Sequence, residues 1–272
     1  MPAISTIFNR FLSVIVICVP LFGGVSAQSS QLSPAELHWL GLRIYSNECN
    51  QQPSCLTSWN EGEEFPSLGI GHFIWFPADS SAPFTETFPQ LIAYYQTQGI
   101  TVPAWLAALP ELDAPWQDRP TFLADLDSSR MNELRQFLAT TTDTQVAFIV
   151  QRLDETLPSM LAAAPARQRA DLQAIYEKIG NAAPPMGRYA LIDYVHFKGS
   201  GANSSERYRG QGWGLLQVLQ RMDPATADLP GFVTAAEAVL RQRVALSAPE
   251  RNEQRWLQGW INRLQTYLPD PA

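Results

Sequence analysis

Three carboxylates crowd the first five positions of the stretch Asn60 to Phe76, which reads NEGEEFPSLGIGHFIWF: Glu61, Glu63 and Glu64. A fourth, Glu48, lies shortly before them at the end of an apolar periodicity formed by Leu37, Leu40, Gly41 and Ile44. Leu37 and Glu48 are eleven residues apart, close to three helical turns, so the carboxylate shares the apolar face. Burial there disfavours the charged form and is expected to raise the Glu48 pKa. A raised carboxyl group opposite an ionised one is what glycosidic bond cleavage needs: one group donates a proton, and the other activates water or stabilises positive charge. Glu61 or Glu63 would supply the second group. Spacing alone equally accommodates a solvated helix end followed by a solvated acidic turn.

These residues need elements to hold them. Ser33-Pro34-Ala35-Glu36 is a helix start, with a Ser N-cap, Pro at the first helical position and Glu three positions after the cap. Residues 56–76 mix turn formers and aromatics and read as a short β excursion or hairpin. Prolines recur from Pro77 to Pro120 around one helical interlude near Gln90 to Gln98. The middle of the chain is helical: Thr142-Asp143-Thr144-Gln145 resembles a capping box, and Val146, Ile149, Val150, Leu153 and Leu157 form a stripe. Further helices are expected through Tyr189 to Phe197, from a cap at Thr234 to Glu237, and on a last face carrying Leu257, Trp260, Ile261, Leu264 and Leu268. A glycine-rich loop spans Gly199 to Gly214.

Arg10, the apolar run Phe11 to Phe22 and the small residues around Ala27 read as a secretory signal, residues 1–27, cleaved after Ala27. A periplasmic or secreted location follows as the expectation, with no stable membrane insertion after cleavage. Cys18 falls inside that signal, which leaves Cys49 and Cys55 as a disulfide pair in an exported chain. The formal charge is −7, or −8 once the +1 of Arg10 is removed, and it carries no run of Lys or Arg. That balance argues against nucleic acid as the partner. His38, His72 and His196 are scattered and both remaining cysteines are committed, so neither a metal nor an organic cofactor is expected.

At Ser67 to His72, SLGIGH, the chain resembles the phage-type lysozymes, whose pattern is a Glu on the first helix, an acidic residue, then Thr-x-Gly-x-Gly-His. Tyr189 to Gly201 (YALIDYVHFKGSG) resembles the core helix of that family, and Glu250 to Leu268 its C-terminal helix. Gly212 to Val218, GWGLLQV, resembles a glycan-binding stretch of lytic transglycosylases. The resemblance implies a lysozyme-like α+β fold, mostly α-helical with a small β-hairpin region, over residues 28–272. Residues 77–180 have no counterpart in it and stand as a helical or irregular insertion. It implies cleavage of a β-1,4-linked aminosugar polymer, foremost peptidoglycan, with Glu48 as general acid. Glu61 stands six residues before Ser67 and is the first candidate for the second carboxylate, with Glu63 the alternative. Ser67 stands where the family has its water-positioning Thr. Glu for Asp, Ser for Thr and a longer interval between Glu48 and Ser67 depart from the pattern. Trp59, Phe73, Trp75, Trp213 and Gln217 are candidate sugar contacts. Gly69 and Gly71 are read as turn and close-approach positions, and His72 as structural. A lytic transglycosylase using Glu48 as both acid and base, and a non-catalytic glycan-binding protein, are the competing readings.

Overall fold

A computed structural model describes residues 32–80, 85–203 and 207–269; the signal reading at residues 1–27 lies outside them. The first helix, α1 (Pro34–Cys49), starts on the expected capping box: Ser33 Oγ accepts from the Glu36 amide, and the Glu36 carboxylate accepts from the Ser33 amide. Leu40, Gly41 and Ile44 are buried. Gly41 lies where α1 meets a later helix, since a Cβ there would already touch Val146 and Asp143 at 3.5 Å. The helix ends at Asn50, whose left-handed backbone (φ 49°) turns the chain, and the Cys49–Cys55 disulfide pins that turn.

Three two-residue strands follow: β1 (Thr57–Ser58), β2 (Ser67–Leu68) and β3 (Phe73–Ile74). They form one antiparallel sheet in the order β1-β2-β3, with Thr57 opposite Leu68 and Ser67 opposite Ile74. The β2–β3 turn requires its glycines. Gly69 has φ +67°, and a Cβ there would collide with the Gln145 amide; a Cβ on Gly71 would come within 2.6 Å of the Phe73 ring. Gln145 is buried and accepts from the Ile70 amide while donating to the Leu138 carbonyl. It therefore anchors the turn, in place of the helix-capping role that its local sequence suggests.

The rest is helical: α2 (Phe88–Thr97), α3 (Ala104–Ala107), α4 (Arg119–Ala124), α5 (Ser129–Thr140), α6 (Thr142–Ala162), α7 (Arg169–Gly180) and α8 (Met186–Lys198). A hairpin of β4 (Arg207–Tyr208) and β5 (Gln211–Gly212) precedes α9 (Leu215–Leu219), α10 (Leu229–Leu246) and α11 (Gln254–Gln265). The fold is mostly helical with two small antiparallel sheets. Helix α10 begins earlier than its sequence suggests: Asp228 accepts from the Gly231 amide as N-cap, and Thr234 lies inside the helix. Residues 77–180 are not a separate body, because Phe88, Trp116, Phe122, Leu134, Val146 and Leu172 belong to the same buried cluster as Leu40 and Leu264. Helix α8 is buried along almost its whole length and packs against α6, α7 and α9. Among the described residues no helix is long and apolar enough to cross a membrane.

One buried charge fastens the last two helices. Glu253, 1% exposed, accepts from Arg243 on α10 (2.9 and 3.0 Å), from the Tyr208 hydroxyl (2.7 Å) and from Arg251 (3.2 Å). Burial pushes its carboxyl up, but the Arg243 bond, the Tyr208 hydroxyl, the charge of Arg243 and the Arg251 bond together hold it at about 2. Its folded-state pKa thus lies below the ordinary carboxylate value of 4.5. The stability it supplies is complete above about pH 4.5 and is lost as pH falls toward 2. Urea unfolding across this window is expected to show a steeper acid loss in wild type than in Glu253→Gln. The substitution itself is expected to cost about 3–5 kcal/mol at neutral pH, by stranding Arg243.

Candidate functional site

Glu48 occupies the last turn of α1, where the helix dipole is negative and that turn carries no basic residue of its own. Its side chain is 14% exposed. Both circumstances oppose a charge, so the carboxylate depends on cations brought from elsewhere. Arg263 of α11 donates from Nη2 to Glu48 Oε1 at 2.6 Å. Two imidazoles stand at the other oxygen, with His196 Nε2 3.5 Å and His72 Nδ1 3.6 Å from Oε2.

Arg263 is in turn fixed by Asp193 of α8, which is 3% exposed. Nε and Nη2 each reach one Asp193 oxygen at 2.8 Å, a bidentate pair. The remaining capacity of Asp193 is filled by the Tyr267 hydroxyl at 2.6 Å and the Asn47 amide at 3.2 Å. Asn47 also donates to the Tyr189 hydroxyl (2.6 Å), which pairs with Thr266 (3.0 Å). Asp193 and His196 are three residues apart on α8 and therefore share a face. The network joins the end of α1, the middle of α8 and the end of α11, and Phe197 covers Arg263 with its ring 4.6 Å from the guanidinium carbon.

The electrostatics reverse the sequence expectation for Glu48. Burial does push its carboxyl up, but hydrogen bonding and attraction from His196, and then from Arg263, outweigh it and bring the group down to about 2. Glu48 rests ionised. The apolar stripe was read correctly as a burial signal, but the compensating charges lie far along the chain. His72 is held below the ordinary histidine value, first by burial and then by His196, against the pull of Glu48 and Glu63. His72 is a direct neighbour of Glu48, and it has a left-handed backbone, φ 46°. Next to Arg263, the Lys198 ammonium lies between the rings of Phe197 (3.8 Å) and Trp260 (3.6 Å). Burial, helped by Arg243, brings that group down to about 7.

The second carboxylate is less closely placed. Among the described residues, the ionic partners of Glu48 are the three cationic or imidazole groups named above. Glu61 is exposed. Glu63 accepts from the Asn60 amide at 3.1 Å and lines a depression with Glu64, Asp79 and Arg119, although its charge reaches His72. Ser67 is 5% exposed within β2, so its hydroxyl has no open water-binding surface.

The proposed aromatic sugar contacts are corrected by burial. Trp75 is fully buried against Phe88 and Trp116 and donates to the Leu112 carbonyl. Trp59 packs edge-on to Phe122, and Phe73 leans on Phe148. Trp75 offers no ring face, and Phe73 and Trp59, 2% and 5% exposed, offer little. Trp213 is 9% exposed, covered by Tyr208 and Arg243. The Gln217 amide is consumed internally, donating to the Gly201 carbonyl and accepting from the Gly214 amide. A groove of about 270 Å³ lined by Gly71, Phe73, Ile149, Leu153, Ile192 and His196, among others, reaches Glu48 through His196.

Comparison with known proteins adds no family: no protein-family model, no curated protein and no solved structure matches this chain.

The network predicts unequal losses. Arg263→Ala leaves Asp193 and Glu48 without their cation and is expected to cost about 3–5 kcal/mol in urea unfolding. Glu48→Gln leaves the bidentate Arg263–Asp193 pair in place and is expected to cost less, about 1.5–3 kcal/mol. Equal losses would show that Asp193 does not hold Arg263 independently.

Proposed function

We propose that this chain is an exported glycan-cleaving enzyme of lysozyme-like fold, acting on a β-1,4-linked aminosugar polymer, foremost peptidoglycan, with Glu48 as its reactive carboxylate. The observation that carries the reading is the placement of Glu48. It is a carboxylate with 14% of its side chain exposed, at a helix end between a β-turn and two helices, and its neighbour His196 lines a groove of about 270 Å³. The Cys49–Cys55 disulfide adjoining it suits an oxidising compartment.

The resting ion pair constrains the mechanism. An ionised Glu48 cannot donate a proton while Arg263 holds it, so proton donation requires a substrate to draw the carboxylate away. Asp193 makes that release affordable, because it keeps two bonds to Arg263 and the guanidinium is never left bare. A glycan filling the groove also excludes water, which raises the cost of a lone charge on Glu48 and favours its protonated form. Glu63 is the better of the two candidates for a second carboxylate, since its charge already acts on His72.

A second reading draws support from the groups clustered within 4.8 Å at Glu48, which among the described residues are His72 and His196 and neither Glu61 nor Glu63: a lytic transglycosylase needs no opposing carboxylate. Purified protein is expected to clear a cell-wall gel, and Glu48→Gln to lose about 10²–10⁴-fold in rate while still sedimenting with walls. Clearing retained by Glu48→Gln contradicts the proposal, and wall binding without clearing by wild type favours a non-catalytic binder. Mass analysis of the products separates the two enzymes: reducing ends follow hydrolysis, anhydro ends transglycosylation.

A further inference from the structure

Three side chains from three separate elements converge on one point. Glu48 Oε2 comes from the end of α1, His72 Nδ1 from the β2–β3 turn and His196 Nε2 from α8. The carboxylate oxygen is 3.6 and 3.5 Å from the two nitrogens, and one donor atom from each of the three residues lies within 4.8 Å of the others. A tetrahedral ion bound at 2.0–2.1 Å by such donors separates them by about 3.4 Å. Two of the three spacings therefore need a shift of only one or two tenths of an ångström. We propose that Glu48, His72 and His196 form a binding site for a first-row divalent cation, Zn²⁺ foremost.

The chemistry of the surroundings fits that cation. Two imidazoles and one carboxylate are a borderline donor set, suited to Zn²⁺ and unsuited to Mg²⁺ or Ca²⁺, which take oxygen ligands. Arg263 bonds Oε1 and leaves Oε2 to the imidazoles, so it acts as the outer hydrogen-bond donor that orients a metal-binding carboxylate. The ion has a way in, since the His72 and His196 side chains are 31% and 36% exposed and His196 lines the groove. The sulfurs beside His72 do not compete: Cys49 and Cys55 are joined to each other and present no thiolate.

Occupation has a consequence that rests on the glycan-cleaving reading. A cation on Oε2 takes the electron pair that would carry a proton, and it ties the β2–β3 turn to α1 and α8. Zn²⁺ is thus a brake on the same site, and chelation releases it.

The test uses tag-free protein with its disulfide intact, titrated with Zn²⁺ by calorimetry and with Co²⁺ by visible absorption. One equivalent is expected to bind, with the intense visible bands of tetrahedral Co²⁺ and a Zn²⁺-dependent rise in Tm. His196→Ala and His72→Ala are each expected to weaken binding about tenfold or more. His38→Ala, whose ring faces Asp143 instead, should leave it unchanged. Should His72→Ala fail to fold because it sits in the tight turn, His196→Ala on a helix carries the test, with circular dichroism confirming its fold. No uptake by folded wild type, or affinity unchanged in folded His196→Ala, overturns the site. Wall clearing is measured in parallel: suppression by Zn²⁺ and recovery with EDTA support the brake, and clearing indifferent to bound Zn²⁺ overturns it. An absence of clearing with and without chelator counts against the glycan reading alone, because the titration stands apart from it.

Discussion

A single guanidinium serves two carboxylates in a partly sheltered seam, with Asp193 buried at its inner end. Arg263 bonds Asp193 through two nitrogens and reaches Glu48 with one of them, so α1, α8 and α11 meet at one positive charge. Charges removed from water cost several kcal/mol each, and such a cluster persists only when every lone pair and proton has a partner. Here Tyr267 and Asn47 complete Asp193, and two imidazoles complete Glu48.

The same arrangement sets what Glu48 can do. It is an ionised carboxylate on a tether, with Asp193 as the partner that keeps Arg263 satisfied if the tether is released. A group so placed can change partner without leaving a naked charge behind, and that exchange is the physical content of both readings of the site. A sugar polymer would draw the carboxylate toward the groove, whereas a divalent cation would fix it between the imidazoles. The two occupants compete for Oε2, so the proposed enzyme and its proposed brake follow from one geometry.

Local features were legible in the sequence. The Ser33–Glu36 capping box, the apolar stripe ending at Glu48, the glycines of the β2–β3 turn and the Cys49–Cys55 pair each depend on residues close in the chain, and each is present. Where local signals are ambiguous, contacts distant in the chain decide. Thr234 resembles a cap, yet Asp228 with a Pro two positions later is an equally good one and lies at the true start. Gln145 looked like a capping residue, but its amide is used by a turn seventy-five residues away. The direction of the Glu48 shift was misjudged for the same reason, because burial is a local inference and its compensating arginine lies 215 residues on. His72 and His196 looked scattered only in one dimension. Trp59, Phe73 and Trp75 suit either a sugar-facing or a core place in sequence, and packing against Phe122, Phe148, Phe88 and Trp116 buries them. A buried Asp in the apolar run of α8 was the one sequence signal that pointed to the cluster.

The direct test of this polar seam is a double-mutant cycle between Arg263→Gln and Asp193→Asn, read by urea unfolding with matched slopes. The account predicts strong non-additivity, a coupling of about 2–3 kcal/mol, because each single change strands the other partner in a dry site. Losses that simply add, within about 0.5 kcal/mol, would show that the two charges do not depend on each other, and the seam would cease to explain how α1, α8 and α11 hold Glu48 in place.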